Sequence, residues 1–275
     1  MCLCEVVNSF AIHRKTRKMK GFIISMALFI VSASCNKVTE PASEFTGNKI
    51  RKISYSNSDE TAFTYTENLL TKLTFREDAE FSDVLVDYDN DKKISEIRMD
   101  DGLVYRMRYA LGEITVIDIF NAQNSRIAFI EISYTGGGHL RQMTTFTKRA
   151  DPAAFPPSVR VTYDYYNDGK GNPASIYYES WVDALNDFIQ VKTLELSNYD
   201  VKVNPITHLR IIGYLFFSMN SANNPGKVVE KDEDGNIVST RQFIYNYHNN
   251  NLPYKANESV TENGTTTTKN IFFDY

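Results

Sequence analysis

A strand-and-turn unit that recurs from Lys49 onward constrains the fold more than any other feature of this chain. In each unit an alternating segment ends in an aromatic residue, a polar turn follows, and the next segment begins with an aliphatic residue. Such units end at Tyr65, Tyr88, Tyr109, Tyr134, Tyr165 and Tyr247. The first three intervals are 23, 21 and 25 residues. That is the length of two strands with their turns, so each repeat predicts one β-hairpin.

Residues within the segments alternate as a half-buried sheet requires. Val159, Val161 and Tyr163 share one face, whereas Arg160 and Thr162 share the other. The 17 Tyr and 17 Phe, with many Val, Ile and Thr, suit a pleated surface. The pattern predicts an all-β domain over 49–275, a long antiparallel β-meander curled into a half-barrel or barrel-like sheet.

One segment breaks this two-residue period. Asn204 and Pro205 suit the N-cap and first turn of a helix, and the residues at 223–226 suit its exit. Apolar residues between them recur at helical spacing and almost surround the axis, which indicates burial. The segment therefore predicts a short apolar helix at about 205–217, packed on the concave face of the sheet. A pair of strands bent at Gly213 is the alternative.

The beginning of the chain has the features of an export signal. Basic residues precede an uncharged run from Phe22 to Ser34, and Cys35 follows. The run is shorter than the roughly 20 residues of a membrane-spanning helix and matches the apolar region of a signal peptide. This order resembles a bacterial lipoprotein signal, although Ser32 stands where that signal usually has Leu. The resemblance implies lipid attachment at Cys35; an ordinary cleaved signal with Cys35 as a bystander is the alternative.

These observations divide the chain into four parts. Residues 1–18 show no recognisable pattern, and we expect the natural start at Met19. Residues 19–34 are the predicted lipoprotein signal peptide, 35–48 a mostly polar and flexible tether, and 49–275 a single β-meander domain. The predicted location is the outer membrane after export, with the N-terminal lipid as the contact to the membrane.

The order of elements carries a more specific resemblance. The hairpin series, the helix that begins with Asn-Pro, the Asn-Asn-Pro exit at 223–225 and the late strand from Tyr245 toward Tyr254 resemble a Bacteroidota lipoprotein family of unknown function. The resemblance covers 49–275. It implies a porin-like fold, in which an antiparallel sheet curls into a barrel-like shape. The family has no assigned catalytic residues, so the resemblance transfers none.

Sequence motifs for metal or cofactor chemistry are lacking. All three cysteines lie within the first 35 residues, the histidines are scattered, and the net charge of −4 gives no reason to expect nucleic acid binding. Asp87, Asp89 and Asp91 alternate as calcium ligands do, but Lys92 and Arg98 occupy the places where an EF-hand loop has Gly and Glu. We interpret these acids as turn residues, with a weak surface calcium site as the alternative, and expect no cofactor.

The surplus of aromatic residues suggests where a ligand would bind. If the domain has a pocket, we expect it where the helix meets the sheet, around Trp181, Tyr214, Phe216 and Phe217. Ordinary aromatic packing in a sheet is the alternative. The predicted function is that of a lipid-anchored, non-enzymatic binding or accessory module for a glycan, a lipid or an envelope protein. The alternatives are a glycan-acting hydrolase with a carboxylate pair on the inner sheet face and a structural role in an envelope complex.

Overall fold

A computed structural model describes residues 49–77, 80–148, 154–205, 209, 211–217 and 221–275. The predicted lipid attachment site at Cys35, the signal peptide and the tether lie outside these ranges. The described residues form sixteen strands and one α-helix of 7 residues, α1 (Ile211–Phe217). The strands are β1 (Lys52–Tyr55), β2 (Glu60–Thr66), β3 (Leu69–Glu77), β4 (Glu80–Tyr88), β5 (Ile94–Met99), β6 (Val104–Ala110), β7 (Glu113–Phe120), β8 (Arg126–Tyr134), β9 (Leu140–Thr147), β10 (Pro157–Tyr165), β11 (Pro173–Val182), β12 (Asp187–Ser197), β13 (Lys227–Asp232), β14 (Ile237–Tyr247), β15 (Pro253–Glu262) and β16 (Thr265–Asp274).

The strands close into a single barrel. Each strand pairs antiparallel with the strands before and after it in the sequence, and β1 pairs with β16, where Ile53 lies opposite Phe273. The predicted all-β antiparallel meander is therefore confirmed, and the sheet is closed rather than half-open. Closure satisfies the strand edges that an open sheet would leave unpaired.

A tyrosine lies at or next to the end of β2, β4, β6, β8, β10 and β14, as the repeat predicts, whereas β12 ends at Ser197. The pairing register shifts beside Tyr88 and Tyr109, so each lies next to a β-bulge. The Tyr88 hydroxyl donates to the carbonyl oxygen of Leu70 at 2.9 Å, and the Tyr109 hydroxyl donates to that of Ile94 at 2.9 Å. We call the end of the barrel that carries the turns after β2, β4, β6, β8, β10 and β14 the tyrosine end, and the opposite end the far end.

The barrel interior is packed with apolar side chains. At least nine inward residues are exposed by 1% or less, and they belong to one hydrophobic core. Barrels of sixteen strands in porins enclose a water-filled channel, whereas this interior is filled. The nine residues are Ile53, Leu73, Val84, Ile97, Ile117, Ile130, Ile176, Ala256 and Ile271.

The outer wall is polar and carries ion pairs between neighbouring strands. Lys72 pairs with Asp83 at 2.7 Å, and Arg98 pairs with Asp87 at 2.6 Å. Barrels that cross membranes have an apolar outward band and a polar interior. This barrel has the opposite distribution, with most of its apolar residues inside and most of its charges outside.

The helix α1 lies inside the barrel, in the connection between β12 and β13. The ring of Phe217 stacks on Phe63 at 6.2 Å between centroids, and Tyr214 meets Tyr163 edge to face at 5.4 Å. The buried apolar helix is confirmed, and the alternative of a bent strand pair is wrong. Its predicted start at about 205 is too early, because Pro205 lies in a turn and the described helix begins at Ile211.

Polar contacts fasten this long connection to the tyrosine end. Asn172 and Asn223 make two reciprocal hydrogen bonds of 3.0 Å. The amide of Asn224 donates to the Asp200 carboxylate at 3.1 Å, and the Tyr247 hydroxyl also donates to Asp200. These bonds fix the entry and exit of the segment that fills the barrel.

Candidate functional site

A row of charged side chains lines the inside of the barrel and departs from its apolar character. The row takes one residue from each of five consecutive strands, and the signs alternate. We call it the charge band; it consists of Lys192 on β12, Glu230 on β13, Arg241 on β14, Glu258 on β15 and Lys269 on β16. Strand alternation sets this orientation, since Arg241 lies two residues from the buried Phe243 and therefore shares its face.

Ion pairs link the members of the band. The Lys192 Nζ lies 3.5 Å from Glu230 Oε1, and the Arg241 Nη1 lies 3.6 Å from Glu258 Oε1. Lys269 Nζ lies 3.0 Å from the second oxygen of Glu258. Arg241 and Glu258 are only 2% and 1% exposed. Removing a charge from water costs several kcal/mol, and pairing often only offsets that cost. Stability alone therefore gives little reason for this band, which makes it the candidate functional site.

A tyrosine ring lies beneath the lysine at each end of the band. The Lys192 ammonium is 4.8 Å from the ring centre of Tyr178, and the Lys269 ammonium is 5.1 Å from that of Tyr55. Burial raises the pKa of the Tyr55 hydroxyl well above its ordinary value; the nearby Glu258 raises it further. Tyr55 is therefore a neutral phenol over the whole physiological pH range.

Buried oxygens of Ser239 and Glu230 lack a hydrogen-bond partner. Ser239 lies directly opposite Glu230 in the register of β13 and β14. Among the described residues, Ser239 Oγ and Glu230 Oε2 have no hydrogen-bond partner although both are buried. Nearly all buried polar atoms in folded proteins are hydrogen-bonded to protein or water. These two atoms are therefore exceptions within the packed interior.

The band lies in the far half of the barrel and reaches solvent. On β12, Lys192 lies closer to the far end than the buried Leu194 and Leu196, which share its face. The side chains of Lys192 and Lys269 remain 23% and 19% exposed. The two ends of the band thus touch water, while its centre, at Arg241, does not. Ligands commonly bind in the mouths of β-barrels, in this kind of position.

The residues of the predicted pocket fall into two separate places. Tyr214, Phe216 and Phe217 lie together inside the barrel, where Phe216 also meets Phe75 at 6.1 Å between ring centres. Trp181 lies on the outer wall, because its neighbour Ser180 occupies the inward position. There its ring meets Phe188 edge to face at 5.1 Å, and its Nε1 donates to Asp183 at 3.0 Å. The structure does not bring Trp181 together with the helix residues.

The aspartates of the turn after β4 serve the backbone. The Asp89 carboxylate accepts hydrogen bonds of 2.9 Å from the backbone N–H groups of Asp91 and Lys93. This is the ordinary role of Asp in a tight turn. In the part of the chain that the structure describes, no group of three or more His, Cys, Asp or Glu side chains is arranged to hold a metal ion. None of the described helices is both long and apolar enough to cross a bilayer.

Comparison with solved structures shows a similarity of fold. A porin-like protein from Bacteroides uniformis ATCC 8492 superposes with a TM-score of 0.52 and 15% sequence identity, over 82% of this chain and 96% of that one. A porin-like protein from Bacteroides vulgatus ATCC 8482 covers 83% of this chain and 99% of its own, at 10% identity and a TM-score of 0.43. The first similarity supports the barrel fold alone, and the second is too weak to support an argument. Neither the family models nor the curated proteins match the sequence.

Proposed function

We propose that this protein is a lipid-anchored lipoprotein of the cell envelope that acts as a non-enzymatic binding or accessory module. The observation that carries the proposal is the distribution of polarity in the barrel. An outer wall with ion pairs such as Lys72–Asp83 suits water, not hydrocarbon. A barrel of this kind needs a separate anchor to stay at a membrane, and the lipoprotein-like signal that ends at Cys35 supplies one.

The direction of the tether agrees with this proposal. The chain enters the barrel at the tyrosine end, where the backbone N–H of Arg51 donates to the carbonyl oxygen of Asp274 at 2.7 Å. A tether that precedes Lys49 would therefore leave from the tyrosine end. The far end, with the charge band inside it, would point away from the membrane and toward a ligand.

The hydrolase alternative has some support but less. Glu230 and Glu258 do point to the inner face, as that alternative requires. Both are buried and ion-paired with basic side chains. A glycoside hydrolase needs two carboxyl groups in an open cleft, on either side of the bond that breaks. The filled interior, with Phe217 of the helix packed on Phe63, is better suited to a rigid module.

Lipid anchoring is tested by Cys35→Ala in the full chain, expressed in a Bacteroides host and followed by fractionation and labelling with a fatty acid. We expect the parent protein to be labelled and to remain with the membranes, and the variant to lose both properties. Ser34→Ala keeps a small residue before the cysteine and serves as the matched control. A variant lacking Cys35 that is still labelled and membrane-bound contradicts the anchor.

A further inference from the structure

We propose that one sector of the barrel, at the tyrosine end and beside the closing seam, rests on the surface of the membrane that anchors the protein. The inference rests on the proposed function, and it gives the anchored barrel an orientation and a direct contact with the bilayer. We call this sector the seam surface; its exposed apolar members are Val201, Val203, Ile244, Tyr254 and Phe272. Their exposed fractions range from 42% for Tyr254 to 80% for Val201.

The pairing register places three of these residues on adjoining strands. Phe272 on β16 lies opposite Lys255 on β15, and Lys255 lies opposite Asn246 on β14. Ile244 is two residues from Asn246 and therefore points to the same outer face. Tyr254 adjoins Lys255 at the end of β15 that belongs to the tyrosine end. The three exposed apolar side chains thus share one part of the outer wall.

The connection after β12 brings the two valines to the same part of the barrel. Val201 follows Asp200, whose carboxylate accepts a hydrogen bond from the Tyr247 hydroxyl at the end of β14. Lys202 lies between the valines, and its Nζ donates to Asn251, in the turn between β14 and β15, at 2.5 Å. These contacts hold the connection beside β14 and β15 and leave the valines exposed.

The chain outside the structure reaches the barrel next to the seam surface. The backbone N–H of Arg51 donates to the carbonyl oxygen of Asp274, two residues after Phe272. Fourteen residues, 35–48, connect a lipid on Cys35 to the start of the described chain. A flexible chain of that length has a root-mean-square end-to-end distance of about 20 Å. The anchor would therefore keep the seam surface close to the bilayer, where a weak contact is sufficient.

The composition of the seam surface suits the interface of a bilayer rather than its hydrocarbon core. Lysines bury their carbon chains against apolar groups and keep the ammonium group among lipid headgroups. Lys255 Nζ lies 5.7 Å from the ring centre of Phe272, and Lys202 lies between the two valines. The acidic Asp274 lies opposite Lys52, which balances its charge.

Exposed apolar side chains also occur at the far end, so exposure alone does not assign the contact. Phe81, Leu185 and Ile237 are 62–64% exposed there. They lie at the end of the barrel opposite to the entry of the chain, and the tether favours contact at the seam surface instead. The far-end residues therefore provide matched controls.

The experiment uses residues 36–275, which include every strand of the closed barrel, with a polyhistidine tag in place of the lipid. The tag binds the protein to vesicles of phosphatidylcholine and phosphatidylglycerol that contain a nickel-chelating lipid. Residues 36–275 contain no cysteine, so Ile244→Cys and Leu185→Cys each carry a single environment-sensitive fluorophore. The two positions are matched, with exposed fractions of 69% and 64%. We expect nitroxide-labelled lipid to quench the probe at 244 several-fold more than the probe at 185.

A second set of variants tests the apolar side chains themselves. With the fluorophore on Val203→Cys, Ile244→Ser combined with Phe272→Ser should reduce the quenching about twofold or more, because less apolar area enters the interface. Phe81→Ser combined with Leu185→Ser is the matched control and should leave the quenching unchanged. Circular dichroism and the melting temperature verify that each variant is folded.

Equal quenching at 244 and 185, or quenching at neither position, overturns the proposal, and so does quenching that Ile244→Ser with Phe272→Ser leaves unchanged. A change at 244 that depends on protein concentration and not on vesicles would assign the seam surface to a second copy of the chain and overturn it as well. If the serine variants do not fold, the comparison of 244 with 185 decides the question alone. The nickel-chelating lipid replaces the acyl chains, so a failure here is distinct from a failure of the Cys35 fractionation test.

Discussion

At the scale of single residues, a tyrosine hydroxyl ties each hairpin to the one before it. The acceptor is in each case the carbonyl oxygen of a residue at or near the start of the strand that follows the preceding turn. The same bond recurs around the barrel, from Tyr88 to Leu70, Tyr109 to Ile94, Tyr134 to Ile114, Tyr165 to Leu140, Tyr199 to Pro173 and Tyr275 to Pro253. Each bond joins two neighbouring hairpins, so the tyrosines hold the strands together at the tyrosine end.

Removing one of these hydroxyls should weaken the barrel by a small, measurable amount. Tyr109→Phe deletes the 2.9 Å bond to Ile94 and leaves a partly buried carbonyl without that donor. We expect a loss of about 0.5–1.5 kcal/mol in the free energy of unfolding, measured with urea. Tyr254→Phe is the control, because Tyr254 is 42% exposed and should lose less. Equal losses in the two variants would contradict a role for the tyrosine bonds.

The charge band should respond strongly to the loss of one charge. Glu258→Gln leaves Arg241 and Lys269 without the carboxylate that both of them face. Breaking a buried ion pair costs about 3–5 kcal/mol, so we expect a loss of that order in urea unfolding. Glu195→Gln removes a carboxylate from the outer wall and should cost about 1 kcal/mol or less. Similar losses in both variants would mean that the band is as well hydrated as the surface.

The tyrosine repeat could be predicted from the sequence, but its hydrogen bonds and the charge band could not. A tyrosine before a polar turn can be recognised in the sequence, because the residue preferences of turns and strands are local. The acceptor of Tyr109 is 15 residues away, on a neighbouring hairpin. In the same way, Arg241 stands in phase with the apolar Phe243, which signals an inward charge. Its partner Glu258 becomes apparent only when the register of β14 and β15 is known.

At the scale of elements, hairpin turns join the strands of the barrel, and the connection between β12 and β13 fills its interior. The turn between β10 and β11 has two glycines, Gly169 and Gly171, with φ angles of 71° and 76°. A Cβ on Gly171 would lie 2.5 Å from the His139 ring, whereas a Cβ on Gly169 would meet nothing within 4 Å. The first glycine is required by backbone conformation only, and the second also by the close approach of the neighbouring turn.

This pair of glycines gives a matched test of the turn. Gly169→Ala should cost about 1–2 kcal/mol for placing a side chain in the left-handed region. Gly171→Ala should cost at least about 1 kcal/mol more, since it also collides with His139. Urea unfolding of the two variants measures the difference. Equal costs would mean that the turns after β8 and β10 are not packed together as the structure places them.

The helix shows how far local patterns extend. Its burial followed from the apolar stripe, but its start at Ile211 did not, because Asn204 and Pro205 mark a helix start in the sequence, whereas Pro205 lies in a turn in the structure. The packing of Phe217 on Phe63 determines which residues of the segment enter the barrel. Strand alternation likewise puts Trp181 on the outer wall. The predicted pocket grouped Trp181 with the helix residues by aromatic character and did not take this alternation into account.

At the scale of the whole molecule, closure is the property that the local patterns leave open. Hairpin after hairpin predicts a meander, but whether the first strand meets the last depends on the tilt and stagger summed over all sixteen strands. The distribution of polarity is also a property of the whole barrel. Alternation gives each strand two faces, and only closure makes the apolar face an interior that the helix can fill.

The most direct test of this account is a disulfide across the closing seam between β1 and β16. Ser54 and Phe272 lie opposite each other on the outer wall, and 49–275 contains no cysteine, so Ser54→Cys with Phe272→Cys isolates the seam. Paired residues of adjacent strands lie about 5.5 Å apart between Cα atoms, which a disulfide can span. Ser54→Cys with Lys255→Cys, two strands apart at about 10 Å, is the control. The account predicts rapid cross-linking of the first pair alone in the folded protein, measured by mass spectrometry; a first pair that stays reduced, or reacts no faster than the control, would contradict the closed barrel.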